Sequence, residues 1–218
     1  MMVSAENDPR RAGTIWMLNL DETVPEVRPL IVANFRRANP DLRSALVSTM
    51  NGTSSAEILK RFDSGRRCYT AWVGDQLASY GWVSFDKEYV GELNLRISLL
   101  PGEAYIWDCV TIPAFRRNHL YSALLSYIIK DLREEGLCRT WIGADMENIP
   151  SQQGIARAGF HYVADLLIER VLAIRQVWVQ GQPGVPEQIV AEARRAFLND
   201  RDKVWLNAGS SVTQGKDK

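Results

Sequence analysis

The chain of 218 residues has no excess of either charge: 26 basic residues balance 26 acidic ones, so no chain-wide field draws it to nucleic acid or to an anionic membrane. Any electrostatic recognition must be local. It also lacks an apolar run near the ~20 residues that cross a bilayer, and its opening stretch MMVSAENDPRRAG holds no apolar segment of signal-peptide type. A cytoplasmic protein is expected. Cysteine and histidine are scarce. Cys68, Cys109 and Cys138 are an odd, widely spaced set without a CxxC pair, and only His119 and His161 could join them as ligands. Neither a disulfide framework nor a metal site is indicated, and the cysteines read as buried thiols.

What is present is a chain that is 46% hydrophobic, enough for one sizeable core. Residues 14–20 (TIWMLNL) read as a strand, and 24–37 carry apolar residues at helical spacing up to the Asn39-Pro40 stop. A helix follows over 55–62, led by Thr53-Ser54-Ser55 with Glu57 in its first turn. Residues 68–73 and 76–85 form a hairpin about Gly74-Asp75, and 93–100 with 103–112 form a second strand pair about Pro101-Gly102. Then come a helix over 120–135 closed by Gly136, a strand over 139–144, a helix over 150–158 ended by Gly159, and one or two strands over 161–179. The GQPGVP run at 181–186 sets apart a helix over 187–198 and a polar end expected to be disordered. The expected organisation is a tail over 1–13, one domain over 14–180 and an appended helix with a disordered tail over 181–218.

Chemistry concentrates in residues 113–122, PAFRRNHLYS, a strand-to-helix loop. Such a turn leaves amides unpaired at the positive end of a helix, and Arg116 and Arg117 add charge, an arrangement suited to phosphate.

Residues 103–160 resemble the core of the GNAT acyltransferase superfamily. That family's loop reads approximately P-x-x-R-G-x-G-x-G/A-S-x-L-L, matched here by Pro113, Arg116, Ser122, Leu124 and Leu125. Its second helix reads approximately N-x-x-A/S followed by G-F, matched by Asn148, Ser151, Gly159 and Phe160. The order of strands and helices also agrees. Three loop positions that are usually small or glycine are Arg117, His119 and Tyr121 here; Asn118 tolerates a left-handed backbone better than they do.

The resemblance implies an α/β (α+β) fold with a mixed, mostly antiparallel central sheet and helices on both faces, and transfer of an acetyl group from acetyl-CoA to a small-molecule or peptide amine. It implies that the amides of Arg117, Asn118, His119, Leu120, Tyr121 and Ser122, with Arg116, hold the CoA pyrophosphate. Cys109, Val110 and Thr111 would bond the pantetheine arm and acyl carbonyl, with Val110 and Thr111 as oxyanion donors, and Asn148 and Ser151 complete the donor site. Acceptors in the family enter opposite the donor, where Phe35, Tyr80, Trp82 and Tyr105 could shape the pocket.

Amine acetylation needs a base, a stabilised oxyanion and a proton for the departing thiolate. Strand alternation sets Ile106, Asp108 and Val110 on one face, so Asp108 is expected in apolar company with its pKa raised, as a base. The other reading makes it a structural acid, hydrogen-bonded to loop amides or paired with an arginine such as Arg116; Glu103 is a weaker candidate base. The family's tyrosine acid falls at Ile155, which has no proton to give; Tyr121 and Ser151 are substitutes by position, and His119 is either a titrating group or a packed ring. Two alternatives to the acetyltransferase stand: an acyl-CoA-binding module without turnover, and a transferase taking a longer or carrier-bound acyl chain. A strand near 171–179 could pair two copies into a homodimer.

Overall fold

The computed structural model describes residues 10–50, 52–91, 95–171 and 174–198. The tails at 1–9 and 199–218, and residues 93–94 and 172–173 of the expected strands, lie outside the described residues.

Ten strands and five helices are described: β1 (Arg10–Asn19), β2 (Asn34–Arg37), α1 (Arg43–Thr49), α2 (Ser55–Asp63), β3 (Arg67–Val73), β4 (Gln76–Ser84), β5 (Lys87–Val90), β6 (Leu95–Ser98), β7 (Glu103–Thr111), α3 (Leu120–Glu134), β8 (Arg139–Asp145), α4 (Ile149–Arg157), β9 (His161–Val171), β10 (Ile174–Gly181) and α5 (Glu187–Phe197). Eight strands make one sheet in the order β10-β9-β1-β8-β7-β4-β3-β2, and β5 with β6 makes a separate hairpin. Every pairing in the large sheet is antiparallel except β7 with β8. The fold is thus the mixed, mostly antiparallel one expected.

Alternation along the strands feeds two cores. In β1, Ile15 and Met17 join Tyr105, Trp141 and Phe197 under the hairpin and α5, whereas Trp16 and Leu18 join Ile106, Ile142, Leu124, Leu125 and Ile155 under α3 and α4. A third cluster, with Leu46, Ile58 and Trp82, seats α1 and α2 on β3 and β4. Local signals place the helix ends. Ser54 and Glu57 form a reciprocal capping box on α2, and Gly136 and Gly159, both at positive φ, close α3 and α4.

Two expectations fail for identifiable reasons. No helix spans 24–37; the chain there is irregular until β2. Pro29, in the interior of the expected helix, withholds a helical N–H and crowds the preceding turn, and the segment bonds elsewhere, Val27 N to Ser126 Oγ at 3.2 Å and Leu30 N to Asn118 O at 3.0 Å. Residues 93–100 do not pair with 103–112: β6 pairs with β5, because both edges of β7 are taken by β4 and β8. Of the cysteines expected to be buried, Cys68 is, Cys109 is partly buried, and Cys138 is exposed in the turn between α3 and β8. No helix among the described residues is long and apolar enough to cross a membrane.

The helix at 187–197 lies on the sheet. Glu103, 4% exposed, binds Arg195 through both carboxylate oxygens at 2.7 Å, accepts from Leu100 N at 2.9 Å, and has Arg139 at 3.7 Å. This carboxylate fastens α5 and is not free to act as a base.

Candidate active site

The site begins where two parallel strands part. β7 and β8 share register from Glu103↔Arg139 to Ile106↔Ile142 and no further, although β7 runs on to Thr111 and β8 to Asp145. The divergence leaves a cleft with strand backbone on both walls.

A bulge sits at the same point. Tyr80 pairs with Val110 and Trp82 with Trp107, so β7 has one residue more than β4 across the interval, and Asp108 takes it up with φ of 45°. The extra residue resets the alternation. Ile106 and Cys109 pack toward α3, while Val110 joins the cluster under α1 and α2. The expected common face of Ile106, Asp108 and Val110 is therefore corrected. The carboxylate of Asp108 meets Arg61 Nη1 of α2 at 2.5 Å, not apolar neighbours and not Arg116. Arg61 itself lies over Trp107 at 4.6 Å and Trp82 at 5.1 Å.

Backbone direction then sorts the β7 amides. Ile112 N donates to Ala78 O at 2.9 Å and Ser79 Oγ donates to Val110 O at 2.8 Å. Alternate residues of a strand turn the same way, so Val110 faces β4 while Cys109 and Thr111 face the cleft. Of the two expected oxyanion donors, Thr111 is available and Val110 is occupied. Burial, then the Asp108 charge, pushes the Cys109 thiol well up, so it remains protonated.

The loop from β7 to α3 takes positive φ at two of the three positions that are usually small or glycine in the family. Arg117 has φ of 65° and His119, at the N-cap of α3, φ of 57°. Asn118 is not the left-handed residue; its side chain braces the loop on Phe115 O and Arg116 O, both at 3.2 Å. The amides of 117–122 have no acceptor among the described residues. Arg116 and Arg117 are exposed, and Arg116 Nε donates to Thr111 O at 3.2 Å.

Beside the cleft, α3 and α4 bring together two candidates that sequence position alone suggested. Tyr121 and Ser151 are in hydrogen-bond contact, Ser151 Oγ to Tyr121 Oη at 3.4 Å. Gly154 makes room for the phenol, since a Cβ there would lie 2.5 Å from Tyr121 Cδ1. Burial pushes the Tyr121 phenol well up, Cys109 adds to this and Ser151 opposes it, so the ring keeps its proton. Asn148 caps α4, accepting from Ser151 N at 3.2 Å. Ile155 is fully buried in the core.

On the opposite face a cavity of about 570 Å³ reaches the cleft. Its lining includes Arg61, Trp107 and Asp108 on one side, Gly143 to Asp145 of β8 on another, and Tyr89 and Leu95 of the hairpin. Tyr105 lines it as expected, whereas Phe35, Tyr80 and Trp82 do not; Phe35 stacks on Tyr127 of α3, and Tyr80 and Trp82 are buried under α1 and α2. Arg61 is the functional candidate missed in the sequence, where it looks like an ordinary basic residue in the last turn of a helix.

The family model described as Acetyltransferase (GNAT) family matches residues 30–160. The chain belongs to the GNAT acetyltransferase family. Its fold is similar to that of an acetyltransferase from the GNAT family of Colwellia psychrerythraea, at TM-score 0.54 and 13% identity over 80% of this chain and 57% of that one. It is similar as well to a GCN5-related N-acetyltransferase of Sphaerobacter thermophilus, at TM-score 0.52 and 14% identity over 71% and 49%. A GNAT-family acetyltransferase of Streptococcus pneumoniae matches at TM-score 0.52 and 14% identity over 69% of this chain and 98% of that one. The chain thus spans only about half the length of the first two. No curated protein matches it in sequence.

Proposed function

We propose that this chain transfers an acetyl group from acetyl-CoA to a primary amine by direct attack. The observation that carries the reading is the parting of β7 and β8, which joins an amide-lined loop on the α3 face to a cavity on the other. The loop over 117–122 holds the pyrophosphate, Arg116 and Arg117 supplement it, and the cleft-facing edges of Cys109 and Thr111 take the pantetheine arm.

The amine sits in the cavity. Asp108, or a water it polarises, takes its proton; Arg61 holds Oδ2 and leaves Oδ1 without a partner among the described residues. The amine nitrogen bonds to the thioester carbonyl carbon, the Thr111 amide stabilises the oxyanion, and the C–S bond breaks as Tyr121, steadied by Ser151, gives its proton to the sulfur. The protonated, packed Cys109 thiol is no nucleophile, which favours one transfer over an acyl-enzyme.

The test is release of CoA thiol from acetyl-CoA with a panel of alkylamines, arylalkylamines and aminosugars. Tyr121→Phe is expected to lower kcat on the order of 10²-fold with acetyl-CoA affinity retained. Asp108→Asn is expected to lower kcat/KM on the order of 10²-fold with acetyl-CoA affinity retained. Wild-type rates in both variants across pH would refute these roles.

A further inference from the structure

The β5–β6 hairpin lines one side of the cavity with Tyr89, Val90, Leu95 and Ile97, and it carries a buried charge the proposed reaction does not use. Glu88 of β5 is 5% exposed. It binds Arg66 Nε at 2.6 Å and Nη2 at 3.1 Å, and accepts from its neighbour Tyr89 N at 3.0 Å. It also accepts the hydroxyl proton of Ser84 at the end of β4. With its proton committed to Glu88, Ser84 Oγ presents a lone pair, and the indole Nε1 of Trp107 donates to it at 2.9 Å. Burial raises the Glu88 carboxyl, but Arg66 and Ser84 outweigh it and hold it below the ordinary carboxylate range, so it is charged.

The direction of this chain of bonds is informative. Anchoring a hairpin requires only the pair of Glu88 with Arg66. The second branch instead passes through Ser84, itself 2% exposed, to a ring that lines the cavity next to Asp108. Unpaired buried polar groups are costly, so a satisfied network admits one arrangement. Only an indole turned toward Ser84 satisfies this one, and Arg61 and Arg66 close on the same ring at 4.6 and 5.9 Å.

We propose that Glu88 is a positioning residue for acceptor recognition: through Ser84 it fixes the Trp107 indole, and through β5 it fixes the hairpin beside it, so the shape of the cavity is set from outside it. The inference rests on the reading of the cavity as the acceptor site. It makes Glu88 and Ser84 determinants of which amine is taken, without contact to acetyl-CoA.

Removing a buried carboxylate can unfold the chain, so Ser84→Ala and Trp107→Phe carry the test beside Glu88→Gln. CoA release is measured with the same amine panel, varying amine and acetyl-CoA separately, and thermal melts check folding. Losing the Ser84–Trp107 bond is expected to raise the KM of the best amine about tenfold, the equivalent of one hydrogen bond. The order of preference among amines should shift, while the acetyl-CoA KM stays within about twofold. Ser84→Ala and Trp107→Phe together should cost less than the sum of the two, because both break the Ser84–Trp107 bond. Unchanged amine preference in folded Ser84→Ala, equal rises in both KM values, or additive effects would overturn the proposal and leave the acetyltransferase reading standing. A wild type that turns over no amine in the panel would overturn both.

Discussion

Arg117 and His119 hold a backbone that glycine adopts at little cost, and the family pattern has glycine at both positions. A left-handed L-residue carries about 1–2 kcal/mol of strain, against which glycine loses more freedom on folding. Arg117→Gly and His119→Gly are each expected to raise stability by about 0.5 kcal/mol in urea melts. A loss of stability would mean that the side chains hold the loop. Asp108 differs, because its positive φ comes with an ion pair to Arg61 and lies at a bulge beside the cavity. Strain of this kind gathers where side chains must be aimed.

At the scale of elements, α5 is held by a buried carboxylate as well as by Phe197 in the core. Arg195→Ala leaves Glu103 with Arg139 at 3.7 Å and the Leu100 amide, and is expected to cost about 3 kcal/mol, read as a fall in the urea midpoint. A change within error would mean that Arg139 alone suffices. How much of this was legible follows the same divide between local and distant causes. The helices over 55–63, 120–134, 149–157 and 187–197 could be read because caps, glycines and apolar spacing are local. The loop was legible for the same reason. The bulge was not: one extra residue in β7 exists only relative to β4, and without it alternation puts Asp108 on the wrong face. Arg61 meets Asp108 across 47 positions of chain, beyond the reach of any spacing rule. The helix expected over 24–37 had the right apolar pattern, but Pro29 and bonds to α3 and its leading loop decided otherwise.

Across the whole molecule the sheet separates two sides: α3 and α4 with the loop over 116–122 on one face, and the cavity with α2, α5 and the hairpin on the other. Carboxylates tie these layers together. Burial raises Asp131 and Glu88, but Arg37 and Tyr69 in the first case, and Arg66 and Ser84 in the second, outweigh it, so both lie below their ordinary values of 3.8 and 4.5. A carboxylate lowered by folding adds stability that is complete above its unfolded pKa and is lost as pH falls through the folded one. Urea melts are therefore expected to give level stability above about pH 5 and a steady decline below it. Asp131→Asn should flatten the decline; an unchanged slope would place the acid sensitivity elsewhere.

The central claim is that the loop over 116–122 binds acetyl-CoA without its usual glycines. Calorimetry of acetyl-CoA with the wild type and with Arg116→Ala/Arg117→Ala tests it most directly. The account predicts a dissociation constant on the order of micromolar for the wild type, weakened at least about tenfold in the double variant as two phosphate contacts are lost. No binding of acetyl-CoA or CoA by the wild type, or equal binding by both proteins, would contradict it.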